Sequence, residues 1–471
     1  PDLKATFQFT VTAPTYWQVT SNQHTPQPIN HSDGSSTWTF GATPRISSYI
    51  TALVAGPYSV VRSELTSRDG RVIPLGVFCR ASLFEYLDAD YIFDKTREGF
   101  AFFEEKFDYA YPFDKYDQLF VPEFNAGAME NAGCITFTET YVFRSKVTNA
   151  IRERRVVTIL HELAHMWFGD LVTMRWWNDL WLNESFAEYA STLAVAEATE
   201  WKHAWTTFAA MEKSWAYRQD QPPSTHPIVA DIPDLDAVRV NFDGITYAKG
   251  GSVLKQLSAW VGPEAFLAGV SNYFKKNQWQ NTELRDLLIE LEATSGRNLT
   301  TWSKLWLETA GVNTLRPTIE TDAAGVITAF SIEQTAPAEW PTIRPHRMAI
   351  GFYNLVDGKV VREHRVDVAE QAEAPVAPTC RVPAAPPACT CRRCWKPGCA
   401  PPKCPPCWKL PPPTRTSISR METSCLSVGN SAVFYLWSAT SWDCCPTLRS
   451  TRPPLSGSDN MNELDMRDFF M

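Results

Sequence analysis

The pentapeptide His161-Glu162-Leu163-Ala164-His165 lies within a stretch of helical periodicity, and it constrains the fold around it more than any other feature of the chain. Residues 150–167 repeat apolar side chains at Val156, Val157, Leu160, Leu163, Ala164 and Trp167, the spacing of one helix. On such a helix His161 and His165 stand about 40° apart around the axis, with Cβ atoms roughly 6 Å apart. Two imidazoles so placed can hold one zinc ion through arms of about 2.0–2.1 Å. Glu162 points about 100° away from His161; it cannot easily join as a third ligand but can act as base toward a water at the metal. A bare five-residue match also arises in helices whose histidines are simply exposed or packed, so its weight depends on what accompanies it.

A catalytic metal of this kind needs one further protein ligand and an open position. Glu184 follows His165 after 18 intervening residues. That gap holds the end of the first helix, the loop GDLVTMRWWNDLW and the start of a second helix, ESFAEYASTLAVAEAT, for which Asn183 is a good N-cap. Glu184 then enters from the first helical turn, where the helix dipole also favours a carboxylate. Glu188, one turn on, and Asp170 and Asp179 in the loop are candidates to accept the second ring N–H of a ligating histidine.

The rest of the chain sets the context. At 471 residues it is long enough for roughly two to four domains. Aromatics at 13%, with 18 Trp, supply ample surface for a core. A net charge of −8 argues against nucleic acid as a partner, because phosphate binding needs a basic face. No run approaches the ~18 apolar residues of a membrane span, and no basic-then-apolar leader follows Pro1. Only Cys79 and Cys134 precede residue 380, a usage that suits a reducing compartment and predicts a cytoplasmic location.

Residues 1–60 read as strands, in ATFQFTVTAP and SSTWTFGATPRISSYITALVAG. GFAFFEEKFDYAYPFD carries aromatics at helical spacing up to Pro112, and CITFTETYVF reads as a strand. Helical patterns run to about residue 310, then strands return over 315–368 with Asp357-Gly358 as a hairpin turn. Beyond 369 the character changes, with sixteen of the 34 prolines between Pro375 and Pro454. Such text has no apolar period and predicts disorder. Its Cys391-x-x-Cys394 and Cys404-x-x-Cys407 pairs could form a zinc knuckle, but the gap is short and proline-dense; a coding region read out of frame accounts better for the composition.

Two further motifs accompany the histidine pair. Gly127-Ala128-Met129-Glu130-Asn131 precedes it by about thirty residues, and Ile245-Thr246-Tyr247-Ala248-Lys249-Gly250 follows it. With these the chain resembles the aminopeptidase N family of M1 zinc metallopeptidases (gluzincins), of bacterial type. The family shares G-x-M-E-N, H-E-x-x-H with 18 residues to a Glu, and Y-x-K-G. The resemblance covers residues 1–368 and implies one zinc per chain on His161, His165 and Glu184. It implies Glu162 as general base, Tyr247 as hydrogen-bond donor to the oxyanion, and Glu130 as the anchor for a peptide's free α-ammonium. The backbone of Gly127 and Ala128, with Met129 and Asn131, would hold the peptide extended.

The expected architecture is α+β and multidomain. It comprises the end of an N-terminal β domain (1–60), a thermolysin-like α/β catalytic domain (61–310), a partial β-sandwich (311–368) and a disordered or frame-shifted tail (369–471). The resemblance also implies that an upstream substrate-binding segment and a closing helical C-terminal domain lie outside this chain, which is therefore expected to be a fragment. The expected enzyme is a monomeric, alanyl-aminopeptidase-like peptidase acting on peptides with a free N-terminus, with no membrane partner. An epoxide-hydrolysing branch of the family carries Gly where this chain has Ala128, which favours the plain peptidase. The alternative outside catalysis is a peptide-binding remnant lacking its closing segments.

Overall fold

The computed structural model describes residues 1–323, 327–356 and 359–370, with one further short pair, Cys425–Leu426 against Phe434–Tyr435. The chain divides into two compact units, one containing Pro1–Ala310 and the other beginning at Gly311. The first is mixed α/β. Its main sheet contains Tyr58–Thr66 (β1), Val72–Arg80 (β2), Tyr116–Val121 (β3), Ala128–Met129 (β4) and Cys134–Thr138 (β5) in the order β4-β5-β3-β2-β1. The central three strands are parallel, and β1 and β4 run antiparallel at the two edges.

The helix Ala89–Lys106 (α1) links β2 to β3 and packs on Asn149–His165 (α2), which in turn packs on Trp181–Ala198 (α3). Phe100, Phe103, Ile159, Leu160, Leu163 and Phe186 bury together in this contact. Gly99 makes the α1–α2 approach possible, since a Cβ there would overlap Leu160 Cδ2 and lie 2.9 Å from Leu163 Cδ2. Several polar groups buried on the parallel strands are paired. Gln118 donates to Thr96 Oγ1 at 2.9 Å, and the buried Asp117 carboxylate accepts from Lys115 and Arg62 at 2.8 and 2.7 Å.

The aromatic segment forms α1 but stops at Lys106 instead of running to Pro112. Asp108 turns into the left-handed region at φ 48°, and the Glu104 carboxylate accepts from the Tyr111 backbone N–H, so the chain folds back before the proline. CITFTETYVF is a strand only as far as Thr138, where a short 3-10 turn, Glu139–Tyr141, takes over. In the first sixty residues Thr10–Pro14, Ser35–Thr39 and Ile29–Asn30 pair antiparallel, and Gln18–Ser21 pairs with Leu53–Gly56.

Helices Gly250–Val261 (α4), Pro263–Asn277 (α5) and Leu284–Ser295 (α6) complete the helical half, with Thr300–Leu307 last. Among the described residues no helix is long and apolar enough to cross a membrane. Cys79 and Cys134 are buried free thiols. In the second unit Thr314–Thr321 (β6) pairs with Ile327–Thr335 (β7), and His346–Val356 (β8) with Lys359–Glu370 (β9), all antiparallel. Leu315, Phe330, Ile332, Met348 and Ile350 form its core. The Asp357-Gly358 turn and the two C-x-x-C pairs lie outside the described residues, as does nearly all of 371–471.

Candidate active site

Helix α2 begins at Asn149 with Thr148 at its N-cap, the Thr148 hydroxyl accepting from Ile151 N–H. Its apolar face buries Val156, Leu160 and Leu163, and the same packing buries the final turn that carries the motif. His161 is 8% exposed and His165 1%. Their Nε2 atoms face each other at 3.0 Å. Glu184 comes from the first turn of α3, its Oε2 atom 3.5 Å from His161 Nε2 and 3.4 Å from His165 Nε2. A tetrahedral ion with arms of about 2.0–2.1 Å separates its ligand atoms by about 3.3 Å. The three donors already stand near that separation, and all are the N and O types that suit a borderline divalent ion.

The approach to Glu184 differs from the sequence expectation. Asn183 is no N-cap: a 3-10 turn at Trp177–Asp179 runs directly into α3, which starts at Trp181 with Leu180 at the cap. Leu180 is already helical, and its carbonyl accepts from both Asn183 and Glu184 N–H. The Asn183 side chain instead donates to Tyr49 Oη at 2.9 Å.

The outer ring nitrogens are held in two different ways. His161 Nδ1 lies 3.4 Å from Glu188 Oε2, the arrangement in which a carboxylate orients a ligating imidazole. His165 Nδ1 faces the Phe168 backbone carbonyl at 2.9 Å, so neither Asp170 nor Asp179 is its partner. Asp179 accepts from Trp181 Nε1 and from Leu284 N–H instead. The Phe168 carbonyl carries no side-chain signal and could not have been read from the sequence.

Charge at the site follows from burial and crowding. Burial alone would lower the His161 pKa, but hydrogen bonds to Glu184 and Glu188 outweigh it and hold the ring up at about 9. Burial works against an ionised Glu184 too, yet the two imidazoles win and pull it down to about 2. Glu162 is raised to about 7, chiefly by burial, and its Oε2 has no hydrogen-bond partner. A carboxylate poised near neutrality and free of protein partners is equipped to exchange a proton with a small molecule.

Glu130 sits just past the edge strand β4, 6% exposed. One carboxylate oxygen each from Glu130 and Glu162 and a ring nitrogen of His165 lie within 4.8 Å of one another, as do the donors of His161, His165 and Glu184. Burial is the main cause of a raised Glu130 pKa, opposed by His165. Ala128 and Met129 are partly exposed and pair with Phe137 and Thr136 of β5, and among the described residues β4 is the edge strand of the sheet. Gly127 O accepts from Thr138 N–H, and Asn131 Nδ2 donates to Thr136 Oγ1 at 3.2 Å, which fixes both ends of the loop. Tyr247 lies on a π-helical turn, Ile245–Lys249, its ring stacked on His161 at 5.9 Å and 19°. The structure thus gathers the three separated motifs around one point.

Two imidazoles one turn apart, a glutamate between them and a second glutamate from the next helix form a donor set that could hold a divalent ion. The peptidase family M1 domain profile matches residues 91–306, and the chain belongs to that family. It is 64% identical to the aminopeptidase N of Streptomyces lividans over 387 residues, covering 80% of this chain and 44% of that protein. It is 33% identical to the leucyl aminopeptidase of Saccharolobus solfataricus over 68% of this chain and 40% of that protein. It is also 33% identical to the aminopeptidase N of Lactococcus lactis subsp. lactis, over 66% of this chain and 36% of that protein. The chain therefore spans less than half the length of these relatives.

Proposed function

We propose that this chain carries the catalytic centre of a zinc-dependent aminopeptidase, with His161, His165 and Glu184 as the metal ligands. The observation that carries the reading is the buried Glu130 carboxylate within 4.8 Å of Glu162 and His165, beside the edge strand β4. A fixed anion at that distance pairs with a free α-ammonium and places the first peptide bond over the metal position. A peptide extended along β4 gains backbone hydrogen bonds from Gly127 and Ala128.

Zinc, when bound, would act as a Lewis acid on the carbonyl and lower the pKa of a neighbouring water. Glu162 takes the proton from the attacking water and returns it to the leaving amine. Tyr247 donates a hydrogen bond to the oxygen that gains charge as the carbonyl is attacked; burial, then Glu184, holds its hydroxyl well above the ordinary range and therefore protonated. The water oxygen joins the acyl carbon, the C–N bond breaks, and the amino acid and shortened peptide leave.

The test combines metal analysis with hydrolysis of an aminoacyl anilide and of its N-acetylated counterpart. Expected are one zinc per chain and cleavage of the free amine only. Glu130→Ala should lower kcat/KM for the free amine by about 2–5 kcal/mol, the cost of removing one partner of a buried charge pair. A chain that stays metal-free after zinc loading, or that cleaves both anilides equally, refutes the reading.

A further inference from the structure

The turn that carries Tyr247 is held by the helix that carries Glu184. Ser185, the next residue after Glu184, is fully buried, and its hydroxyl donates to the Thr246 carbonyl at 2.6 Å. On the other side of that contact Gly250 closes the turn, and a Cβ there would overlap Ser185 Oγ and lie 2.7 Å from Ser185 Cβ. The turn is π-helical: Lys249 N–H reaches back five residues to Gly244 O, and Gly250 N–H bonds Ile245 O and Tyr247 O. Such wide turns are single-turn departures from the α-helix that recur at functional sites.

Its other end is tied down independently. Asp243 Oδ1 accepts from Ile245 and Thr246 N–H at 2.9 and 3.0 Å, and Asp243 Oδ2 faces His226 Nε2 at 3.0 Å. Among the described residues the Ser185 bond ties the backbone of the turn to α3 and the missing Cβ of Gly250 lets the two approach, while the Tyr247 side chain itself reaches Glu184.

We propose that Ser185 and Gly250 form a latch that positions Tyr247, so that one turn of α3 sets both Glu184 and the hydrogen-bond donor for the oxyanion. Ser185 is a positioning residue, and the proposal rests on the role assigned above to Tyr247. Loss of the latch lets the ring drift from its stacked place on His161 without touching the three histidine and glutamate donors. A misplacement of about 1 Å at a reacting centre can cost roughly 10²-fold in rate.

The experiment uses the full chain and four variants, Ser185→Ala, Ser185→Gly, Gly250→Ala and the double variant Ser185→Gly/Gly250→Ala. Ser185→Ala should lower kcat about 10–100-fold, with KM within about twofold and zinc stoichiometry unchanged. Gly250→Ala alone should be worse, and adding Ser185→Gly should recover activity to the level of Ser185→Gly alone, because the overlap is removed. Amide exchange over 244–250 in the metal-free protein should speed up in Ser185→Ala. This last readout does not depend on catalysis, so it separates failure of the latch from failure of the peptidase reading. Unchanged exchange, zinc loss in Ser185→Ala, or additive effects in the double variant would each overturn the proposal.

Discussion

Helices α2 and α3 assemble four of the site's residues, His161, Glu162, His165 and Glu184, from a single stretch of chain, and bury all of them. Edge strand β4 and the Ile245–Lys249 turn bring in Glu130 and Tyr247; Ala128, Met129 and Tyr247 are partly exposed, whereas the rest of the turn is buried. The first region is fixed by helix periodicity and by the packing of Leu160, Leu163 and Phe186. The second is fixed by scattered hydrogen bonds such as Asn131 to Thr136 and Ser185 to Thr246. The difference separates two tasks: a metal cluster wants rigid, dry, crowded donors, whereas a peptide must be able to reach the edge of a sheet.

The comparison breaks most sharply at Glu162, which belongs to the rigid region by position and to the reactive one by role. Glu162→Gln keeps the shape and leaves the three metal donors alone. It should therefore retain zinc yet lose about 10³–10⁴-fold in kcat, the upper range for removal of a general base. Steady-state kinetics with zinc analysis on the same sample decides it: near-normal turnover would remove Glu162 from the reaction, and loss of zinc would make it part of the cluster.

Tyr247→Phe tests the second region alone. The ring still stacks on His161, but the donor is gone, so kcat should fall about 10²–10³-fold with little change in KM. Equal losses in binding of substrate and in turnover would make Tyr247 a wall of the pocket.

Metal affinity sharpens the rigid side. In the metal-free protein His161 is held up at about 9 by Glu184 and Glu188 against the effect of burial. A raised histidine stabilises the metal-free fold fully below its unfolded value, about 6.5, and that stability is lost as pH rises through about 9. Zinc needs the neutral ring, so it must displace a proton below that pH. Apparent zinc affinity should rise by up to about tenfold per pH unit for each proton displaced, the His161 proton contributing up to about pH 9 and the His165 ring, also held well above its ordinary value, adding to the slope. Chelator competition at several pH values, corrected for the chelator, measures the slope; a flat profile would place the proton elsewhere.

What could be read from the sequence follows the same division. The histidine pair and Glu184 were legible because a helix converts spacing into direction, and two helices joined by a short loop must pack. Glu188 was legible as a helical neighbour of Glu184. The start of α3 was not, because a 3-10 turn can replace a side-chain cap and leave Asn183 free to bond Tyr49. Nor was the partner of His165, since a backbone carbonyl has no letter in the sequence. Glu130 and Tyr247 were singled out through family resemblance alone; by themselves the residues around them read as a solvated loop and a packed aromatic. The Gly250-Gly251 pair at the head of an apolar helix was a mark of close backbone approach that the spacing arguments left unused.

The smallest effect concerns the far end of α2. Thr148 caps the helix through Ile151 N–H at 3.4 Å, thirteen residues before His161, or about 20 Å along the axis. Thr148→Ala removes one cap bond and should cost about 0.5–1 kcal/mol of stability. If the cluster is held by side-chain packing on α1 and α3, this loss should leave zinc stoichiometry unchanged and kcat within about twofold, because fraying of the first turn does not propagate through three buried turns. Thermal melts beside kinetics read both quantities. A kcat that falls more than tenfold with zinc in place would mean that the N-terminal turn, not the packed face, sets the angle at which the histidines meet the metal.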